Sequence, residues 1–255
     1  MKYKIGYAAA IVWAAIFSLS VTSCTKKKND GPTPVDSLKV GLLAYYPFNN
    51  NAHDESGNGN NGTADSVTPV SDRNGKPNAA YQFDGQFSNI SVPDQQKLRL
   101  SETDFTLNAW VKIDAYNPSA GSIILSKRIT GANNGFTWGI HGNVDGDVGK
   151  VTYGPGGGST NASSATPVAL NSWHMVTSVY NYTAGQFTIY IDGVFNSATS
   201  GIITTNPNIT TLLFIGRDDP SLGTSYFFKG ALDEIRIYSR KLSVTDIQKL
   251  YTSTN

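Results

Sequence analysis

Alternation of apolar and polar residues is the feature that most limits what this chain can fold into. In the segment 105–113 every second residue is apolar, and the segment 187–191 repeats this spacing before an Asp-Gly pair at 192–193. Successive side chains of a strand point to opposite faces, so this period of two predicts half-buried strands, and Asp-Gly is typical of a hairpin turn. Similar runs predict strands at 42–48, 80–84, 89–92, 122–126, 136–140, 150–153, 173–180, 212–216 and 232–238. We therefore expect an all-β fold, a two-sheet antiparallel β-sandwich.

The composition supports one packed domain and argues against nucleic-acid binding. Of the 255 residues, 39% are hydrophobic, which is enough to bury a sizeable core. The 25 glycines and 13 tyrosines suit tight turns and half-buried sheet faces. The 20 basic and 19 acidic residues nearly cancel, so no net positive field exists to attract a nucleic acid.

The end of the chain departs from the strand pattern and predicts a short C-terminal helix. Ser243 can cap a helix in which Asp246 completes the capping pair. The apolar residues on one stripe of this helix are Val244, Ile247, Leu250 and Tyr251. We expect the helix to pack onto the sandwich.

The start of the chain has the pattern of a secreted, lipid-anchored protein. Two lysines precede an apolar run from Ile5 to Leu19, which is short for a membrane span and fits a signal peptide. The run leads into Val-Thr-Ser-Cys24, which is similar to a bacterial lipobox, and a plain signal peptide or membrane anchor with an incidental cysteine is the alternative. The lipobox predicts a signal peptide over 1–23, lipidation of Cys24, a polar tether over 24–37 and a domain over 38–255. Because Cys24 is the single cysteine, no internal disulfide can form.

Several blocks of the predicted domain follow one another in the order found in a known family. They are Leu42-Leu43-Ala44-Tyr45-Tyr46-Pro47-Phe48-Asn49, the stretch 54–63, Tyr81-Gln82-Phe83-Asp84-Gly85, the stretch 105–112, Trp173-His174-Met175-Val176, Tyr190-Ile191-Asp192-Gly193, Phe214-Ile215-Gly216 and the stretch 230–243. Together they resemble the laminin-G-like, concanavalin A-like jelly-roll domains of bacterial surface proteins, here of a Bacteroidetes-type lipoprotein. The resemblance implies two stacked antiparallel sheets with jelly-roll connections. It does not imply one function, because a shared fold hosts many.

The loop 49–62 is rich in side-chain oxygens, which suits calcium. The resemblance implies a structural calcium held by Asp54 and Asp233. Additional ligands suggested by the loop itself are Gly57, through its carbonyl, Asn58 and Asn60. The alternative is that Asn, Asp and Gly cluster here because they favour turns.

Two other residue groups have ordinary structural interpretations. Glu234 and Arg236 lie two positions apart in the last predicted strand, so they share a face, where an ion pair is expected. His174 has no second His or Cys near it in sequence, which favours a framework role over metal binding or catalysis.

Catalytic signatures are missing from the sequence. Glycoside hydrolysis needs two carboxylates across the scissile bond, and the chain has only the glutamates Glu55, Glu102 and Glu234. Glu234 and its neighbour Asp233 point to opposite faces of a strand and cannot act as such a pair. No Gly-x-Ser-x-Gly motif is present either. The sequence therefore predicts a protein that is not an enzyme, with a glycan-processing enzyme as a lesser alternative.

The anchor, the missing catalytic pair and the resemblance to a family rich in carbohydrate-associated proteins together predict a lectin-like carbohydrate-binding module of the cell outer membrane, either periplasmic or surface-exposed. The expected partner is a polysaccharide or glycan, and the only membrane contact is the lipid anchor. Candidate stacking residues are Tyr153, Tyr226 and Phe227, which lie among glycines and polar residues. Burial under a neighbouring loop is the alternative for each ring. A protein-binding or adhesion domain is the alternative function.

Overall fold

Two antiparallel sheets pack face to face on an apolar core. A computed structural model describes residues 1–3, 36–118, 121–131, 134–142, 146–156, 162–202, 205–223 and 226–253. Contacts divide the chain into the units Met1–Pro34 and Val35–Asn255, and the second unit carries both sheets. Cys24, the predicted signal peptide from residue 4 onward and the predicted tether up to residue 35 lie outside the described residues.

The described part of the second unit contains fifteen strands and one α-helix. In chain order they are β1 (Leu42–Tyr46), β2 (Thr63–Asp65), β3 (Thr68–Val70), β4 (Ala80–Asp84), β5 (Asn89–Val92), β6 (Phe105–Ile113), β7 (Gly121–Arg128), β8 (Gly135–His141), β9 (Lys150–Gly154), β10 (Ala162–Pro167), β11 (Trp173–Asn181), β12 (Gln186–Ile191), β13 (Val194–Ser200), β14 (Leu213–Ile215), β15 (Lys229–Tyr238) and α1 (Val244–Thr252). Short 3-10 turns occupy Ser37–Lys39, Gln96–Arg99 and Pro220–Leu222.

The sheet order confirms the predicted sandwich and is consistent with a jelly roll. The first sheet has eight strands in the order β13-β12-β11-β6-β15-β4-β3, with β1 also paired to β15. The second has seven strands in the order β10-β9-β8-β7-β14-β5-β2. All pairs between these strands are antiparallel.

Each segment that alternation predicted as a strand contains an observed strand. In β6 the five alternating apolar residues are at most 1% exposed and belong to the main core cluster. The strands β2, β3, β10 and β13 lie outside the predicted segments, because they are largely polar, although the Asp-Gly pair predicted a turn leading into β13.

The helix α1 covers the outer face of the first sheet. Ser243 Oγ accepts a hydrogen bond from the Asp246 backbone N–H (3.1 Å) and completes the predicted capping box. Ile247 and Leu250 are buried in a second apolar cluster that includes Trp110 of β6. Val244 and Tyr251, which complete the predicted stripe, are instead exposed.

The segment before β1 is tied to the segment around α1. Arg240 donates from Nη2 to the Ser37 carbonyl (2.6 Å) and from Nε to the Val40 carbonyl (2.7 Å). Lys249 of α1 donates to Ser37 Oγ (3.0 Å). Since β1 also pairs with β15, both ends of the described domain meet at one place.

Candidate functional site

Asp54 organises the loop between β1 and β2. Its Oδ1 accepts hydrogen bonds from the backbone N–H groups of Tyr45 and Ser56, both at 2.9 Å. Its Oδ2 accepts from the Ser56 hydroxyl and from the Asn60 backbone N–H, also at 2.9 Å. A carboxylate offers about four lone-pair sites, so these four bonds use the full acceptor capacity of Asp54.

The two loop asparagines turn their amide nitrogens toward the backbone of β1. Asn58 Nδ2 donates to the carbonyls of Leu42 (2.8 Å) and Leu43 (3.1 Å), and Asn60 Nδ2 donates to that of Leu43 (2.8 Å). Gly57 has a φ of +87°, a conformation that favours glycine. These contacts give the loop a structural role of its own.

Asp233 of β15 lies against a cationic side chain that the sequence did not indicate. Arg73 Nη1 is 3.4 Å from Asp233 Oδ2, and both side chains are buried. Arg73 Nη2 donates to the Ser253 carbonyl (2.8 Å), and its guanidinium lies 4.4 Å from the centre of the Trp110 ring. That ring in turn stacks on Tyr251 at 5.7 Å.

The environment of Asp233 favours its neutral form. Burial, together with the adjacent Glu234 carboxylate, raises the pKa of Asp233 to about 8. The Arg73 charge and the hydrogen bond from the Glu234 backbone act in the opposite direction and are outweighed.

The predicted calcium ligands do not fit one shared ion. Asp54 has no acceptor site left for a metal, and Asp233 faces the Arg73 guanidinium. Across the described ranges, no group of three or more His, Cys, Asp or Glu side chains is placed to hold a metal. Asn58, Asn60 and Gly57 serve a hydrogen-bonded turn, the alternative weighed from the sequence. Calcium binding itself stays a prediction for direct measurement.

The predicted ion pair between Glu234 and Arg236 is confirmed. The two side chains are 2.6 Å apart, and Glu234 also accepts a hydrogen bond from the Tyr45 hydroxyl (2.8 Å). The Arg236 guanidinium stacks over the Tyr45 ring at 4.0 Å. Tyr45 and Arg236 also line a cleft of about 410 Å³. Tyr45 was predicted only as part of a strand, because its partners come from the far end of the chain.

His174 has the framework role that was predicted. Its Nδ1 lies 2.8 Å from an Asp192 carboxylate oxygen, and its Nε2 lies 2.9 Å from the Ser172 hydroxyl. Asp192 also accepts a hydrogen bond from the Met175 backbone N–H, which fixes the hairpin between β12 and β13 against β11.

The prediction that Tyr153 stacks on a ligand is wrong. Tyr153 is 1% exposed, and its ring packs 4.4 Å from Phe187 and 5.7 Å from Phe105, measured between centroids. It shares the inward face of β9 with Val151, two positions earlier. The strand period therefore overrides the glycines that follow Tyr153 in the sequence.

Tyr226 and Phe227 lie at the end of the segment that joins β14 to β15, and both are half-buried. The Arg217 guanidinium lies 4.6 Å from the Phe227 ring centre. A cation over an aromatic ring is attracted by its negative face, so Arg217 orients one face of Phe227. Both rings keep partly accessible surface, unlike the ring of Tyr153.

A buried carboxylate holds the same segment against β7. Asp218 accepts hydrogen bonds from Ser126 Oγ (2.6 Å) and from Arg128 Nε (3.1 and 3.0 Å). Burial opposes ionisation of Asp218, but these hydrogen bonds lower its pKa below the ordinary value. The next residue, Asp219, accepts from Thr211 Oγ1 (2.9 Å). Sequence reasoning missed this cluster, because Ser126 and Asp218 lie 92 positions apart.

The sequence matches a family model described as the concanavalin A-like lectin/glucanases superfamily over residues 84–248. The chain belongs to this superfamily. This identification confirms the family suggested by the sequence blocks and agrees with the two-sheet architecture. No functionally curated protein matches the sequence of this concanavalin A-like domain.

Solved structures share the fold of this concanavalin A-like domain at low sequence identity. Domain 4 of AbnA, an extracellular arabinanase of Geobacillus stearothermophilus, was solved in complex with arabinotriose. It is 21% identical with a TM-score of 0.62, and the match covers 83% of this chain and 98% of that domain.

Toxin binding domains are also similar. The binding domain of Paraclostridial Mosquitocidal Protein 1 is 18% identical, with a TM-score of 0.65, and the match covers 84% of this chain and 52% of that one. The receptor-binding domain of a botulinum neurotoxin C/D mosaic serotype is 16% identical, with a TM-score of 0.63 and coverages of 84% and 51%. The concanavalin A-like domain thus spans about half the length of these toxin domains.

The buried acids of the concanavalin A-like domain are engaged in structural contacts. Within the described ranges, each accepts a hydrogen bond or forms an ion pair; they are Asp72, Asp218, Asp219, Asp233, Glu234 and Asp246.

In the part of the chain that the structure describes, no helix is long and apolar enough to cross a membrane.

Proposed function

We propose that this protein is a non-catalytic, lectin-like module that binds a polysaccharide or glycan, held by a lipid on Cys24 at the outer membrane. The domain then reaches its ligand on the polar tether over residues 24–37. The signal-like start of the chain supports the anchor. Membership of the concanavalin A-like superfamily supports glycan binding.

The proposed glycan binding rests mainly on the structural similarity of this domain to a complete domain that was solved with a bound sugar. Domain 4 of AbnA aligns over 98% of its length and was crystallised with arabinotriose. Botulinum neurotoxin type C, whose cell entry depends on interaction with two ganglioside molecules, is 14% identical, with a TM-score of 0.57. The ligands named for both proteins carry carbohydrate.

The contacts of the buried carboxylates support a module without catalytic activity. Hydrolysis of a glycosidic bond requires a proton donor and a second carboxylate facing the substrate. Here Glu234 is paired with Arg236, and Asp233 is paired with Arg73. Removing Glu234 would leave the buried Arg236 guanidinium without a counter-charge, which favours a structural use for this acid.

The ligand-contacting residues that we propose are Tyr226 and Phe227. Aromatic rings offer an apolar face to the C–H groups of a sugar, and half-buried rings keep a fixed orientation. The Arg217 guanidinium lies over the Phe227 ring, and the adjacent Asp218 is bonded to β7. A preorganised site loses less conformational entropy when it binds.

A glycan array probed with the wild-type protein, Phe227→Ala, Tyr226→Ala and Phe195→Ala tests the proposal. We expect the wild type to retain at least one glycan and each loop variant to weaken that binding about tenfold, equal to ~1.4 kcal/mol. Phe195→Ala is the matched control, because Phe195 is an exposed ring (59%) on the hairpin between β12 and β13. Unchanged binding by both loop variants would reject these residues, and release of reducing ends from a bound glycan would reject the non-catalytic assignment.

A protein-binding or adhesion function is the second candidate. It is favoured by the apolar tip of that hairpin, where Val194 is 66% exposed beside Phe195, and Phe195 contacts the Tyr190 ring edge-on at 6.1 Å. Exposed apolar surface of this kind marks contact sites when it is continuous. Loss of binding to a purified protein partner in Phe195→Ala, with no glycan bound by the wild type, would establish this function instead.

A further inference from the structure

Two adjoining hollows form a polar groove beside the loop that Asp54 organises. One, of about 330 Å³, is lined by Asn58, Gln95 and other residues, and the second, of about 580 Å³, extends to Glu102. They share Leu43, Gln96 and Lys97 and so are continuous. Binding sites for small ligands commonly enclose about 300–1,000 Å³. The groove is therefore large enough for an oligosaccharide.

One wall of the groove is fixed by the β1 backbone. Asn58 and Asn60 are held by the carbonyls of Leu42 and Leu43. The hydroxyl of Tyr46 also donates to the Asn60 carbonyl (2.7 Å). These bonds hold this wall in one conformation without a ligand.

The opposite wall is fixed by a charged cluster. Arg99 Nη2 is 2.6 Å from Asp94 Oδ2, and its Nη1 donates to the Pro207 carbonyl (3.0 Å). Asp94 also pairs with the buried Lys127 at 2.6 Å. The turn Gln96–Arg99 thereby has a rigid base, with Leu98 buried beneath it.

Four polar side chains that line the groove make no polar contact with other side chains or the backbone of the described residues. Gln95, Gln96, Lys97 and Glu102 are exposed, and within the described part of the chain their side chains make no hydrogen bond or ion pair. The amides of Asn58 and Asn60, by contrast, are already bonded to the backbone. The groove thus combines a rigid frame with free donors and acceptors.

The chemistry of these groups selects a neutral, hydroxyl-rich ligand. An amide side chain both donates and accepts, as a sugar hydroxyl does. One lysine and one glutamate give the groove no net charge. Leu43 and Leu100 lie beneath the groove and are only 7% and 1% exposed, so polar side chains supply most of its surface. The centres of protein interfaces are depleted in Lys and Glu, so a protein partner fits this groove less well.

We propose that the groove between Asn58 and Glu102 is a second carbohydrate-binding site, specific for neutral oligosaccharides. The inference rests on the proposed glycan-binding function and adds a site distinct from Tyr226 and Phe227. Gln96 and Lys97 contact the ligand from the shared centre of the groove.

Binding of neutral and sialylated oligosaccharides to the detergent-solubilised full chain tests the site. Gln96→Ala and Glu102→Ala are compared with Gln86→Ala, an exposed glutamine in the β4–β5 turn that does not line the groove. We expect a neutral oligosaccharide to bind the parent, each groove variant to weaken it about tenfold, and Gln86→Ala to bind it as the parent does. Matching circular dichroism spectra exclude misfolding as the cause.

Three results would overturn the groove site. The first is unchanged affinity in both groove variants with loss of binding in Phe227→Ala, which leaves the proposed function intact. The second is a preference for sialylated over neutral oligosaccharides. The third is a parent protein that binds no oligosaccharide, which rejects the proposed function together with the groove.

Discussion

At the scale of single residues, Arg73 joins three parts of the domain. It contacts Asp233, stacks on Trp110 and donates to the Ser253 carbonyl. One side chain thus joins β15, β6 and the end of α1. A guanidinium suits this task because it combines a permanent charge with a flat face and several donors.

At pH 9, where Asp233 is ionised, replacing Arg73 by Met should destabilise the domain by roughly 3 kcal/mol, because it leaves this buried carboxylate beside Glu234 without a counter-charge. Adding Asp233→Asn to this variant should recover part of the loss. Urea unfolding followed by tryptophan fluorescence measures both effects. An unchanged midpoint in Arg73→Met would show that the contact contributes nothing.

Cys24 is the residue on which the proposed location depends. Cys24→Ser should abolish lipid labelling and move the protein from the membrane fraction to the soluble fraction, because stable anchoring requires the acyl chains that this thiol would carry. Labelling with a fatty-acid analogue and fractionation measure the two effects. Equal membrane retention in wild type and variant would contradict the anchor.

At the scale of elements, β15 carries the most unusual electrostatics of the domain. Asp233, Glu234 and Arg236 are nearly inaccessible, and Glu234 has a φ of +53° where the register of β15 with β6 shifts. A bulge of this kind changes which side chains point to the same face. It places Glu234 with Tyr45 and Arg236, while Asp233 faces Arg73.

The raised pKa of Asp233 gives a pH dependence of known sign. Its folded pKa of about 8 lies above its ordinary value of 3.8, so between these pH values only the unfolded state releases the proton. The free energy of unfolding should therefore fall as pH rises from about 4 to 8. In Asp233→Asn this part of the fall should vanish, because asparagine does not titrate. Urea unfolding at a series of pH values checks this, and parallel profiles for wild type and variant would contradict it.

At the scale of the whole molecule, the positions of most strands along the chain follow from sequence pattern, whereas the charged contacts do not. Alternation located β6, whose alternate residues from Phe105 to Ile113 lie in the main core. The same period of two places Tyr153 on the inward face with Val151. The glycines after Tyr153 instead favoured an exposed loop. Arg73 and Asp233 are 160 positions apart, and no local pattern links them.

Removal of divalent metal should leave the melting temperature of the wild-type protein unchanged. An ion at one hundred times its dissociation constant would add about 2.7 kcal/mol, a shift that calorimetry detects easily. The acceptor sites of Asp54 are filled and Asp233 has a cationic neighbour, so we expect no such shift. A fall in melting temperature with EDTA that calcium reverses would instead support the calcium predicted from the family.

The bonds from Arg240 and Lys249 to Ser37 have a mechanical consequence. If the domain is held by its preceding segment while a ligand pulls on it, the load enters at Ser37 and passes into Arg240 and α1 before it reaches β1. Charge-assisted bonds near the point of attachment then share the strain with the β1–β15 ladder. These bonds thereby reinforce the attachment end of the domain against the force that a bound ligand transmits through the sheets.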